Sequence, residues 1–164
     1  MASDHPYRHL NLGPGDVPFE LRPSPGKGWG AFATRKIQTG DLILKERPLF
    51  VIRKHHQYIT ELDVRAGFQQ LSSREKQQFL GLLDNGDRAF TSMRKAFGEN
   101  SFAVSGNPPA HGLLIILSRL NHSCIPNCKI PDTRVEQGQP QIYATRDIMP
   151  GDELTFCYSP NFEL

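Results

Sequence analysis

Fourteen glycines and thirteen prolines punctuate a chain of 164 residues. Together they make up about one residue in six, above the ordinary ~12% and well short of the ~25–30% that marks disordered segments. Glycine supplies left-handed turns and proline removes a backbone donor, so this excess imposes many turns and short elements. The hydrophobic fraction of 38% is enough for a core at this length, and the length suits one domain. No run of ~18 apolar residues occurs, so no membrane span is expected. The first ten residues carry Asp4, His5, Arg8 and His9 and hold no apolar stretch, so they do not read as a secretory signal. Three cysteines argue against a disulfide framework and for a reducing, intracellular compartment. No basic localisation run distinguishes nucleus from cytoplasm. Lys and Arg number 19 against 17 Asp and Glu, a formal charge of +2. That balance makes no case for direct nucleic-acid binding.

The charges are interspersed, and neither an internal repeat nor a low-complexity tract is visible. Residues 1–18 read as an N-terminal extension. From Phe19 to Ile52 the pattern is one of short strands: Phe19 to Leu21, then Gly30 to Ala33 after a glycine-rich turn, then Asp41 to Val51 with Pro48 as a bend. The turn Thr39-Gly40-Asp41 separates two of these runs as a hairpin would require. From Arg53 to Gly112 the chain reads as mostly helical. Ser72-Ser73-Arg74-Glu75 is a capping box, Phe79, Leu80, Leu82 and Leu83 form a stripe, and Asn85-Gly86 ends it. A second helix is expected from about Arg88 to Phe97, stopped by Gly98. The third region holds the apolar run Leu113 to Leu117, a polar turn from Asn121 to Asn127, and strands at Gln141 to Thr145 and Glu153 to Tyr158, joined through Pro150-Gly151-Asp152. Strands, then helices, then strands predict an α+β domain.

Three stretches carry donors and acceptors in unusual density. In Gly26-Lys27-Gly28-Trp29-Gly30 alternate glycines allow close backbone approach to a ligand, and Lys27 could meet an anion. The spacing fits neither a phosphate-binding loop nor a dinucleotide fingerprint, and a plain hairpin turn explains it as well. Asn121-His122-Ser123-Cys124-Ile125-Pro126-Asn127-Cys128 admits three readings. It could be a zinc set using Cys124, Cys128 and His122 or Cys157, a Cys–His nucleophile pair, or a buried turn whose side chains cap their own backbone. Tyr158, at the end of an apolar strand, could project a phenol into a pocket, or simply line the core or its rim. His55 and His56 read as solvated.

Taken together and in this order, the stretches resemble one family, the SET-domain protein lysine methyltransferases. The resemblance rests on Gly26 to Thr34 with Ile37-Gln38-Thr39-Gly40-Asp41, on Ser118 to Asn127, and on Ala144 to Tyr158. It spans about Phe19 to Tyr158, with residues 53–112 as the variable insert, and its style is nearest the SET/MYND-like branch without the MYND insert. It implies a SET-domain fold of several small β-sheets with a helical insert and a pseudoknot-like C-terminal core. It also implies S-adenosyl-L-methionine as cofactor and a lysine-bearing protein or peptide, a histone among the candidates, as substrate. Lys27, Gly28 and Trp29 would line the cofactor's methionine end. Asn121 and His122 would offer backbone groups to the adenine, and the Asn121 side chain would lie near the methionine part. Tyr158 would be the catalytic tyrosine, with Phe156 walling the site.

The chain ends soon after Tyr158, at Leu164, without the cysteine segment that binds zinc in many members. No metal site is therefore expected, and the lysine channel is expected to be open on one side. The alternative implied by that departure is an inactive or truncated SET module that holds a peptide or partner protein.

Overall fold

The structure, a computed structural model, describes residues 16–83, 91–104, 108–131 and 139–158. Contacts divide these into two units. The first comprises residues 16–46, 119–131 and 140–158, and the second the described residues between 47 and 118 together with Gln139.

The first unit is built from two small sheets. Strands β1 (Phe19–Ser24) and β2 (Gly28–Ala33) form an antiparallel hairpin with Phe19 opposite Ala33 and Ser24 opposite Gly28. On its other side β2 pairs with β10 (Glu153–Phe156), and β10 pairs in parallel with β7 (Asn121–His122). The order is β1-β2-β10-β7. The second sheet runs β3-β9-β8, with β3 at Leu42–Lys45, β8 at Cys128–Lys129 and β9 at Gln141–Ala144. Thr39-Gly40-Asp41 therefore does not close a hairpin, because β2 and β3 lie in different sheets. The strands are short because turns end them, and Ala31, Ile142, Leu154 and Ile148 are almost wholly buried. Each large apolar side chain so placed contributes about 1.5–3 kcal/mol.

A short internal duplication organises this unit. Residues 33–41 and 144–152 share the pattern Ala-Thr-Arg-x-Ile-x-x-Gly-Asp, and the two copies face each other about an approximate two-fold. Ile37 and Ile148 exchange both backbone hydrogen bonds at 2.9 Å. Gly40 N–H donates to the Ala144 carbonyl and Gly151 N–H to the Ala33 carbonyl, both at 2.8 Å. Asp41 accepts from Gln38 N–H at 2.9 Å, and Asp152 from Met149 N–H at 3.0 Å. Gly40 and Gly151 sit at φ 88° and 89°, a conformation that costs an L-residue about 1–2 kcal/mol. The copies differ at Lys36 and Asp147, which pair with each other at 3.1 Å.

The second unit holds three helices and a sheet. Helix α2 (Ser73–Leu83) carries the expected capping box: Ser72 N–H donates to Glu75 Oε2 at 2.9 Å and Glu75 N–H to Ser72 Oγ at 3.3 Å. Helix α1 (Glu61–Gln69) has a second box, Thr60 with Asp63. Its Asp stands where the usual signature has Glu or Gln, so the reading above passes over it. Helix α3 (Met93–Asn100) begins at the Ser92 cap and runs through Gly98 rather than stopping there. The Asn100 amide donates to the Ala96 carbonyl at 2.7 Å and holds the last turn. The start expected near Arg88 and the Asn85-Gly86 stop lie outside the described residues.

This region is also less helical than expected. Strands β4 (Val51–Ile52), β5 (Ser101–Val104) and β6 (Ala110–Leu113) form an antiparallel sheet in the order β4-β6-β5. Ala110, His111 and Gly112 are weak strand formers, and the ladder rather than propensity makes them a strand. At Gly112 a Cβ would stand 2.9 Å from the Pro48 ring. Phe50, Phe68, Phe79 and Phe97 pack with ring centroids 5.3–6.2 Å apart. Among the described residues no helix is long and apolar enough to cross a membrane.

Candidate active site

The parallel pairing of β7 with β10 sets Thr155 opposite Asn121 and Phe156 opposite His122. It thereby joins two sequence motifs that are distant along the chain. Asn127, buried, stitches them together: its amide donates to the Glu153 carbonyl at 2.8 Å, and its Oδ1 accepts from Thr155 N–H at 2.9 Å. Ser123 N–H donates to the Phe156 carbonyl at 3.1 Å. Only part of the polar turn serves itself, through Ile125 N–H on Ser123 Oγ at 3.1 Å. Asn121, Ser123 and Asn127 also reach across to β2 and β10.

Tyr158 is held at both ends. Its backbone N–H donates to His122 Nδ1 at 3.1 Å, and its hydroxyl donates to the Leu120 carbonyl at 2.7 Å. Its ring lies 5.3 Å from that of His122 and 4.9 Å from that of Phe156, centroid to centroid. The residue is still 57% exposed, so a face of the phenol remains open. Burial of the hydroxyl end raises its pKa above 10, with Arg119 pulling the other way and Glu153 adding to the rise. The phenol is therefore protonated at neutral pH and able to donate.

The same contacts define the tautomer of His122. Because Nδ1 accepts a backbone N–H, the proton of the neutral ring sits on Nε2. Nε2 faces Cys124 Sγ at 3.4 Å. With its proton there, the ring donates toward sulfur and has no lone pair to take the thiol's proton, which argues against a Cys–His nucleophile pair. The three cysteines are free thiols, and burial pushes that of Cys128 up to about 12.

The glycine-rich stretch is the β1–β2 turn, closed by Lys27 N–H on the Ser24 carbonyl at 3.0 Å. Lys27 Nζ pairs with Glu153 Oε2 at 3.2 Å rather than waiting for an anion. The exposed Gly28 has φ 81° and nothing within 4 Å of where a Cβ would stand, so the backbone there is open to approach. The carbonyl of half-buried Trp29 accepts the Asn121 amide at 3.0 Å, and Glu153 Oε1 accepts the same amide at 2.6 Å. The structure thus gathers Lys27, Trp29 and Asn121 around Glu153, and His122, Phe156 and Tyr158 beside them across β7 and β10. Glu153 stands inside the stretch from Ala144 to Tyr158 but has no signal of its own in the sequence. A lone acidic residue after a turn gives no sign of the three donors it will meet.

Comparison with known proteins places these features together. Over 141 residues, 85% of this chain, it is 27% identical to the histone-lysine N-methyltransferase set5 of Schizosaccharomyces pombe. A shorter stretch of 40 residues is 55% identical to the H3 lysine-4 specific histone-lysine N-methyltransferase of the same yeast, and 45 residues are 42% identical to the histone-lysine N-methyltransferase SETMAR of Mus musculus. These stretches cover 24% and 26% of this chain. The chain spans 41% of the length of the first of these relatives, 4% of the second and 15% of the third. The SET domain family matches residues 28–159, a span that begins at the first residue of β2 and takes in the Asn-His motif and Tyr158. A match over most of the chain, on an α+β framework that brings those segments into one cluster, means that this chain belongs to the SET-domain family.

Proposed function

We propose that this chain binds S-adenosylmethionine and transfers its methyl group to a lysine side chain of a protein, with histone tails the first substrates to test. The observation that carries the reading is Tyr158, a protonated phenol fixed on the Leu120 carbonyl within an aromatic corner of His122 and Phe156.

The residues present fit such a cofactor. Strand β7 is the edge of its sheet, so one side of its backbone is not used by that sheet and can serve the donor and acceptor pattern of an adenine. The open backbone at Gly28 admits a close neighbour. The Leu120 and Trp29 carbonyls, each with a second lone pair, and the Asn121 amide oxygen would supply the negative atoms that an ammonium and a sulfonium require. When bound, the cofactor would supply an activated methyl, whose carbon would bond to the neutral lysine amine while the carbon–sulfur bond left both its electrons on the departing thioether, and the methylated nitrogen would give one proton to water.

The chain's own contribution is positional and electrostatic. A free lysine has a pKa of about 10.4, so presenting it neutral near pH 7.4 costs about 4 kcal/mol. An apolar wall such as Phe156 lowers that cost by desolvating the ammonium. Holding the amine in line supplies about 7–11 kcal/mol of the barrier reduction. The Tyr158 hydroxyl and the Leu120 carbonyl would hold it, and neither would need to change its protonation state.

Titration calorimetry with S-adenosylmethionine, wild type against Asn121→Ala, tests the reading, alongside transfer of labelled methyl to histone peptides. Wild-type binding weakened at least about tenfold by Asn121→Ala supports it, the loss of one hydrogen bond to a ligand group being worth that much. Absence of heat and of transfer with wild type would sink it. Binding without transfer would instead favour a module that only holds a peptide.

A further inference from the structure

Side chains from two strands and a turn converge on one carboxylate. Glu153, at the start of β10, accepts the Asn121 amide at 2.6 Å and the Ser24 hydroxyl at 3.2 Å on Oε1, and the Lys27 ammonium at 3.2 Å on Oε2. Its side chain is 18% exposed, that of Lys27 47%. Space for this convergence is built into the middle strand. A Cβ at Gly30 would stand 2.5 Å from Glu153 Oε1 and 3.0 Å from Asn121 Nδ2.

The network also fixes which way the Asn121 amide faces. Its nitrogen meets two acceptors, Glu153 Oε1 and the Trp29 carbonyl, and a flipped amide would set oxygen against both. Both amide protons are thus engaged, and Oδ1 is what the side chain has left to offer a ligand. An amide oxygen accepts, which suits an ammonium group such as the one on the cofactor's methionine end. Glu153 likewise neutralises Lys27, so the corner presents a balanced pair rather than an isolated cation to a zwitterionic head.

We propose that Glu153 is the positioning residue of the methyl-donor site, aiming the Asn121 amide and restraining Lys27 so that the two receive the methionine end together. This rests on the cofactor reading above. Glu153 acts through Asn121 and Lys27, not on the reacting atoms.

Two measurements test it. In calorimetric titration with S-adenosylmethionine, Glu153→Gln keeps a neutral acceptor for Asn121 and weakens binding about two- to fivefold, whereas Glu153→Ala removes it and weakens binding about tenfold or more, as expected for loss of a charge-assisted hydrogen bond. Lys27→Met weakens wild-type binding but adds little in the Glu153→Ala background, a coupling that a merely structural glutamate would not produce. Without any ligand, the side-chain ¹⁵N resonance of Asn121 shifts strongly in Glu153→Ala and little in Glu153→Gln. A folded Glu153→Ala that binds within twofold of wild type, or an unmoved Asn121 resonance, overturns the assignment. No heat with wild type strikes the cofactor reading instead, and the Asn121 resonance still decides whether Glu153 aims that amide.

Discussion

Replacing Tyr158 with phenylalanine separates a structural role from a chemical one. The substitution keeps the backbone N–H bond to His122 and the ring contacts with His122 and Phe156. It removes a single hydrogen bond, the 2.7 Å donation to the Leu120 carbonyl. A neutral intramolecular hydrogen bond is worth about 0.5–1.5 kcal/mol net, and one on a residue this exposed belongs at the low end. The melting temperature of a domain of this size should therefore fall by no more than about 2–4 °C. If the hydroxyl orients the reacting groups, its loss removes a preorganised dipole where charge changes, an effect of about 10²–10³ in turnover. The assay is labelled-methyl transfer to histone peptides at saturating cofactor, with thermal melts and cofactor calorimetry on the same samples. Small thermal loss, retained cofactor binding and a turnover drop of about a hundredfold is the expected combination. Turnover within threefold of wild type would refute the reasoning, as would a loss of activity that simply tracks a collapse in melting temperature.

The internal two-fold makes a paired prediction: Gly40→Ala and Gly151→Ala should each destabilise by about 1–2 kcal/mol and by nearly equal amounts, since both sit at positive φ with open space around the missing Cβ. Urea denaturation measures this, and unequal costs would show the two turns are not equivalent. His111 lies 5.5 Å from His56, centroid to centroid, and burial, followed by the charges of His56 and His55, holds its pKa below 6.5. The unfolded chain therefore takes up this proton first, and stability falls as pH drops from 6.5 toward the native-state value. His111→Asn should flatten that part of the urea-midpoint profile, and an unchanged profile would rule His111 out as its source. Cys128, buried and with its pKa at about 12, should resist maleimide at pH 7.5 in the folded protein while exposed Cys124 is modified. Peptide mass spectrometry after timed quenching reads the two sites, and equal labelling would contradict the burial of Cys128.

Capping and turn chemistry were legible locally wherever the residues followed the common pattern. Ser72 with Glu75 starts α2 because both partners lie within one turn of each other. Thr60 with Asp63 makes the same motif with a shorter acid, and only the folded geometry shows that Asp reaches the Thr60 N–H at 2.9 Å. The sheet of β4, β5 and β6 was hidden for a different reason. Ala110, His111 and Gly112 have little strand preference of their own, and they become the middle strand through their ladder partners, His111 pairing with Ala103 on one side and with Ile52, far back in the chain, on the other. The duplicated turns do not stand out as a repeat because each copy is only nine residues long, far below the periods of about 20–50 residues that mark repeat architectures.

The amino-acid order alone determined the class of the domain and the list of polar groups from which a site could be made. Hydrophobic patterning and turn residues act over a few neighbours, and a short motif such as Asn121-His122-Ser123-Cys124 is complete within one segment. What those groups do to one another was settled by tertiary structure. The parallel register of β7 on β10 puts the Tyr158 hydroxyl on Leu120 and turns the Asn121 amide onto Glu153. Hydrogen bonds act over about 3 Å, and only the folded sheet brings residues so distant in the chain within that range.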